Sequence, residues 1–146
     1  MGRIIALDYG QKRVGVAVTD VNQMIAMPLD TIPSSEITDY LREYLLRENV
    51  EIMVVGEPRQ MNNKYSESER FIQPFVRHLL KSFPGLTIVR VDERFTSKMA
   101  TAAILASGAS KKDRQDKGLI DKVSAAIILQ SYLESPQREE SRDSRP

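Results

Sequence analysis

The chain has 146 residues, an apolar fraction of 41%, a charged fraction of 28% and a formal net charge of +1, the profile of one ordinary globular domain with length for a single buried core. No apolar run approaches the roughly 20 residues of a membrane span. The absence of cysteine excludes disulfides and thiolate metal sites and suits a reducing cytoplasm.

The elements read off in chain order. Residues 3–8 (RIIALD) are a short apolar run, too short and too soon charged for a signal peptide, and predict a first strand. Tyr9-Gly10-Gln11-Lys12 supplies a turn into Arg13–Asp20, which alternates with period two, so the pair predicts a hairpin. A third strand is expected over Gln23–Thr31, at a sheet edge because Pro28 cannot donate to a ladder. Ile37, Leu41, Tyr44 and Leu45 then follow helical spacing after Ser34 or Ser35 as N-cap. The apolar run 52–56 (IMVVG) predicts a buried parallel strand.

A second helix is expected over 66–82, with Phe71, Phe75, Leu79 and Phe83 on one face and Pro74 kinking or breaking it. Leu86–Val91 reads as the next strand, ending in Asp92-Glu93-Arg94. A third helix is expected from Thr96 or Ser97 to about Ala106. A polar, lysine-rich loop follows over 108–118, and a last helix runs from 119 or 120 to 134 with Val123, Ala125, Ala126, Ile127 and Ile128 inward. The charged, apolar-free stretch 135–146 predicts disorder, so residues 1–134 form the domain. The order β-β-β-α-β-α-β-α-α predicts an α/β fold: a mixed five-stranded sheet, a three-strand meander then parallel strands, with helices on both faces.

Ligands in such open sheets sit outside the carboxyl ends of the parallel strands. Asp8, Glu57, Asp92 and Glu93 all fall at strand ends. Singly, Asp8 would serve as a turn cap, Glu93 as part of a local ion-pair cluster, and Asp121 as a partner of a helix dipole in the first turn of the last helix. Together, Asp8, Glu93 and Asp121 make a set of hard oxygen ligands without His or Cys, which selects Mg²⁺ or Mn²⁺. Such ions support in-line phosphodiester hydrolysis. Lys12, Arg13, Arg94 and Lys98, with Lys111, Lys112 and Lys117 from the basic 94–122 segment, are candidates to hold a nucleic-acid backbone. The single histidine, His78, falls inside the second helix, and Gly10 and Gly15 do not complete a phosphate-binding loop. Tyr9, beside Asp8, is a candidate to stack on a base.

With these residues in place, the chain resembles the YqgF family, described as Holliday-junction resolvases and as nucleases maturing the 5′ end of pre-16S rRNA. The resemblance rests on four ordered motifs: ALDYGQKRVGVAV (6–18), VVGEP (54–58), VDERFTS (91–97) and DKVSAAIILQSYL (121–133). It implies a ribonuclease-H-like fold with an acidic triad of Asp8, Glu93 and Asp121 binding Mg²⁺. It also implies structured RNA or branched DNA as partner, acted on by a monomer or homodimer. The sequence departs at Glu57, where the family usually has an apolar residue, and over 59–63, which lacks the usual glycine-containing turn. Glu57 and Asp92 could stand behind the ligands, or Glu57 could face solvent. A binding module without catalysis, docking on nucleic acid or a ribosome-associated partner, is the competing reading. The acids argue against it, since they weaken phosphate binding unless a cation inverts the local field.

Overall fold

The computed structural model describes residues 2–58, 67–93, 99–100, 102–103, 106 and 116–138. Its strands are β1 (Arg3–Tyr9), β2 (Arg13–Thr19), β3 (Ala26–Pro33), β4 (Val50–Glu57) and β5 (Thr87–Asp92), and its helices α1 (Ile37–Arg47), α2 (Glu69–Ser82) and α3 (Lys117–Leu133). The sheet order is β3-β2-β1-β4-β5, with β1–β2 and β2–β3 antiparallel and β1–β4 and β4–β5 parallel. A hairpin meander thus feeds two parallel strands, as the change of period in the sequence predicts. Residues 99–100, 102–103 and 106, inside the expected third helix, are helical.

Because successive strand residues point to opposite faces, the sheet carries two cores. Ile5, Leu7, Val14, Val16, Met53 and Val55 meet Ile37, Leu41 and Tyr44 of α1 and Ile72, Phe75 and Leu79 of α2. On the other face Ile4, Ala6, Ala17, Ile52, Val54, Val89 and Val91 meet Ala125, Ile128, Leu129 and Tyr132 of α3. The helices therefore cover both faces. This alternation assigns a face to every residue at the strand ends.

Several local expectations are corrected. β3 begins at Ala26 rather than Gln23, because Gln23 sits in the preceding turn at φ 57° with its amide nitrogen held by Gly2 O and Glu51 Oε2. Pro28 does lie on an edge strand, beside a register shift between Val16 and Ala17. Neither Ser34 nor Ser35 caps α1: Ser34–Glu36 form a short 3₁₀ turn, and Ser34 Oγ donates to Gln11 O instead. The inner stripe of α2 is Ile72, Phe75 and Leu79, while Phe71 is 37% exposed; the helix runs unbroken past Pro74. α3 starts at Lys117, with Asp116 accepting from the backbone N–H of Gly118 and Leu119. Its buried stripe is Ser124, Ala125, Ile128, Leu129 and Tyr132, with Val123 and Ile127 only half-buried. Gln137 donates to Arg90 O and Arg138 to Gln23 O, tying 135–138 to the domain; the rest of the expected tail, 139–146, lies outside the described residues.

Candidate active site

Asp8 follows Ile4 and Ala6 on the α3 face of β1, near the carboxyl end of the strand. Glu93 directly follows β5, its backbone N–H donating to Glu57 O. β4 lies between the two strands, so Glu93 must cross it to reach Asp8. Gly56 allows the crossing: a Cβ there would fall 2.6 Å from Glu93 Oε2 and 2.9 Å from Ile128 Cδ1. Any other residue at 56 would occupy the space the glutamate uses. Across this gap the carboxyl of Glu93 donates a hydrogen bond to Asp8.

A second glycine seats the third acid. Gly15 is the β2 residue opposite Asp8, and a Cβ there would lie 2.0 Å from the Asp121 carbonyl oxygen. The α3 backbone therefore rests directly on the β2 main chain at Asp121. Thr31 Oγ1 donates to Gly118 O and fastens the first turn of the helix to β3. Asp121 is the fifth residue of α3, so Asp116 and not Asp121 serves the helix start. Its carboxylate turns to Arg13, whose Nε donates to Oδ2 at 2.6 Å.

Burial is the main force on the Asp8–Glu93 pair. It raises the Asp8 pKa to about 6, against the hydrogen bond from Glu93 and with help from the charge of Asp121. It raises Glu93 to about 9, with the charge of Asp8 and the proton donated to Asp8 adding to it and the nearby Arg90 opposing. Two carboxyls so close cannot both ionise without a compensating cation. At neutral pH the pair keeps one proton, carried by Glu93. Arg90 lies on the opposite face, where it binds Glu69 through two hydrogen bonds, at 2.6 and 3.1 Å, and donates to Val55 O and Gly56 O.

Asp8 and Asp121 open into a cavity of about 350 Å³ whose rim includes Gln11, Lys12, Arg13 and Lys117. Three of the seven expected nucleic-acid contacts thus gather around two of the three acids. Arg94, Lys98, Lys111 and Lys112 lie outside the described residues, as does the 59–66 segment. Glu57 and Asp92 pair across β4 and β5 but fall in the alternation on the α2 face, opposite Gly56 and Glu93. Tyr9 does not wait for a base: its ring stacks on Phe75 at 4.1 Å. His78 is exposed on α2 beside Ser82. What the sequence reading missed is Gly15, Gly56 and the Arg13–Asp121 bond. A strand-interior glycine signals close approach, but only the folded chain says what approaches.

The donor set suits a hard divalent cation. It is all oxygen, two of its carboxyls are half-buried and hydrogen-bonded to each other, and Asp8 opens onto the cavity. Ser124, one turn beyond Asp121, adds a buried hydroxyl that has no hydrogen-bond partner among the described residues. Among the described residues, however, no group of three acids is close enough to hold an ion as it stands; Asp121 is engaged by Arg13. Among the described residues, too, no helix is long and apolar enough to cross a membrane.

A family model described as "RuvX: Holliday junction resolvase" matches residues 2–135. A Flavobacterium johnsoniae protein named "Putative pre-16S rRNA nuclease" is 55% identical over 135 residues, 92% of this chain and 98% of its own length. Proteins of the same name from Parabacteroides distasonis and Porphyromonas gingivalis are each 53% identical, covering 92% and 94% of this chain and 96% and 100% of their own. Thermus thermophilus RuvC, solved in complex with Holliday junction substrate, superposes with a TM-score of 0.56 at 18% identity over 97% of this chain and 98% of its own. At that identity the likeness concerns the fold, which is ribonuclease-H-like.

Proposed function

The chain belongs to the RuvX family of Holliday junction resolvases, and on that footing we propose that it is a metal-dependent endonuclease that hydrolyses phosphodiesters of structured nucleic acid. The observation that carries this reading is the half-buried, hydrogen-bonded Asp8–Glu93 pair opening, through Asp8, onto a cavity rimmed by Lys12, Arg13 and Lys117. Acids enclosed by phosphate-seeking bases make chemical sense when a cation joins them.

Asp8, Glu93 and Asp121 are the residues that would hold Mg²⁺ or Mn²⁺. When bound, the ion supplies Lewis-acid stabilisation of a phosphate and a water acidic enough to attack it. The chain's own residues do the rest. Lys12 and Lys117 attract the backbone of the substrate, and Arg13 offers a planar fork that matches phosphate oxygens. Asp8 and Glu93, half-buried at the strand ends, give the site more negative charge once their shared proton leaves. Gly15 and Gly56 keep the three acid-bearing elements close enough to act together.

The precursor of small-subunit rRNA is the substrate we favour, because relatives sharing more than half of their residues over nearly the full chain carry that name. The family description supports a second reading, resolution of a four-way DNA junction, which calls for paired cuts by a symmetric homodimer. Labelled precursor-rRNA stem–loops and four-way DNA junctions, each incubated with Mg²⁺, Mn²⁺ or chelator, separate the two. We expect RNA cleavage that depends on the metal, and a loss of at least about 10²-fold in each of Asp8→Asn, Glu93→Gln and Asp121→Asn, the scale seen when one transition-state contact is removed. Binding should survive in all three variants. Cleavage that persists in every variant refutes the site. Binding by the wild type without cutting, in any metal, leaves a binding module.

A further inference from the structure

Arg13 is placed where it opposes cation binding. Its Nε–Oδ2 bond to Asp121 occupies one of the three acids, and its charge faces any ion that would join them. The two main chains cannot separate to relieve this. Asp121 is fixed by its carbonyl against Gly15, and Arg13 by its pairing with Pro33 and by the bond from Gly10 N to Arg13 O. Only the side chains can part. Both are partly open to solvent, 40% for Arg13 and 23% for Asp121, so the ion pair is screened and easily exchanged. Among the described residues the two terminal guanidinium nitrogens of Arg13 carry no further bond, and Arg13, Lys12 and Lys117 share one cavity rim.

We propose that Arg13 is a substrate-operated latch on the metal site: it neutralises Asp121 until a phosphate of the nucleic acid takes its guanidinium, so that nucleic acid and divalent cation bind cooperatively. The proposal rests on Asp121 being a cation ligand. A phosphodiester at the rim satisfies the Arg13 fork in two hydrogen bonds where Asp121 accepts through Nε. The exchange frees a carboxylate for the ion and cancels the positive charge that repelled it. The free enzyme then holds metal weakly, and the full acid set forms only beneath a bound backbone. Linkage makes the effect reciprocal: whatever factor the nucleic acid contributes to metal affinity, metal contributes to nucleic-acid affinity.

The test measures binding in the full-length chain. Mn²⁺ affinity without nucleic acid is read by electron paramagnetic resonance for wild type, R13Q, K12Q and D8N. Affinity for a fluorescent stem–loop RNA is read by anisotropy in Ca²⁺ and in chelator. R13Q should bind Mn²⁺ roughly tenfold more tightly than wild type, within the usual range of coupling between sites. K12Q, which removes a rim charge without releasing Asp121, should stay within about twofold of wild type, the small effect of one screened charge. Wild type should bind RNA roughly tenfold more tightly in Ca²⁺ than in chelator, and R13Q should lose that gain. Mn²⁺ binding in R13Q equal to or weaker than wild type overturns the latch; if D8N still abolishes Mn²⁺ binding in that case, the metal site itself stands. Wild-type Mn²⁺ binding unaffected by D8N overturns both.

Discussion

Asp8 and Glu93 share one proton between them, and that proton ties the stability of the fold to pH. In the unfolded chain the two carboxyls ionise near 3.8 and 4.5, whereas in the fold burial moves them to about 6 and about 9. The folded state therefore keeps protons that the unfolded state has already released. Below pH about 4 both states are protonated and the contribution is fully present. As pH rises through about 6 and then about 9 it is lost, with a slope of at most about 1.4 kcal/mol per pH unit for each proton. Thermal unfolding in chelator should show a melting temperature that declines between pH 6 and 9. In Glu93→Gln the decline should flatten, because its amide has no proton to release. A slope equal to wild type in that variant would mean the two carboxyls are not coupled. At this scale the sequence was informative about identity but not about partnership. Asp8, Glu93 and Asp121 are recognisable as strand-end and helix acids, yet nothing in their spacing tells that Glu93 hydrogen-bonds Asp8 while Asp121 turns to Arg13.

The elements are held at their working distance by two glycines, and these differ in what an added methyl would strike. At Gly15 the obstacle is backbone, the carbonyl of Asp121 at 2.0 Å, so Gly15→Ala must push α3 away from β2. We expect it to cost about 1–3 kcal/mol or more, as overpacking of a filled interior does, with cleavage lost alongside. At Gly56 the nearest atom is the end of the Glu93 side chain at 2.6 Å, which can swing out. Gly56→Ala should lose cleavage with a smaller drop in melting temperature, and its pH slope should resemble that of Glu93→Gln. Wild-type cleavage in Gly56→Ala would show that Glu93 need not cross β4. A further link joins α2 to the same strand ends: Glu69, almost wholly buried, binds Arg90, which in turn holds the carbonyls of Val55 and Gly56. Glu69→Ala leaves a guanidinium without its counter-ion and should destabilise toward the lower end of about 3–5 kcal/mol, since Arg90 keeps two carbonyl partners; chemical denaturation measures it. Periodicity made the meander, the parallel strands after it and the helices on both faces legible. It failed where chemistry overrode pattern: Glu69 and not Phe71 lies on the inner face of α2, and Asp116 began α3 inside a stretch whose polar composition reads as loop.

Across the whole molecule a net charge of +1 conceals a local arrangement that the sum cannot express. Lys12, Arg13 and Lys117 come from two distant parts of the chain and meet at one cavity rim because β2 packs beneath the first turns of α3. The bond from Ser34 N to Lys12 O, with Ser34 Oγ on Gln11 O, fixes the turn that carries two of them. If a nucleic-acid backbone lies across this rim, each lysine that meets a phosphate releases counterions on binding. The logarithmic dependence of affinity on salt should then lose about 0.9 in slope for each duplex phosphate contact removed, or about 0.7 on a single strand. Lys12→Ala and Lys117→Ala should each reduce the slope by about that amount and weaken binding of every sequence alike, while leaving thermal unfolding unchanged because both side chains are at the surface. The double variant should lose the sum, since the two lysines sit on separate elements and share no hydrogen bond among the described residues. Anisotropy titrations from low to moderate salt measure all three. A slope undiminished in the double variant would move the contact surface away from the cavity, and the acids with it would lose their claim on the scissile phosphate.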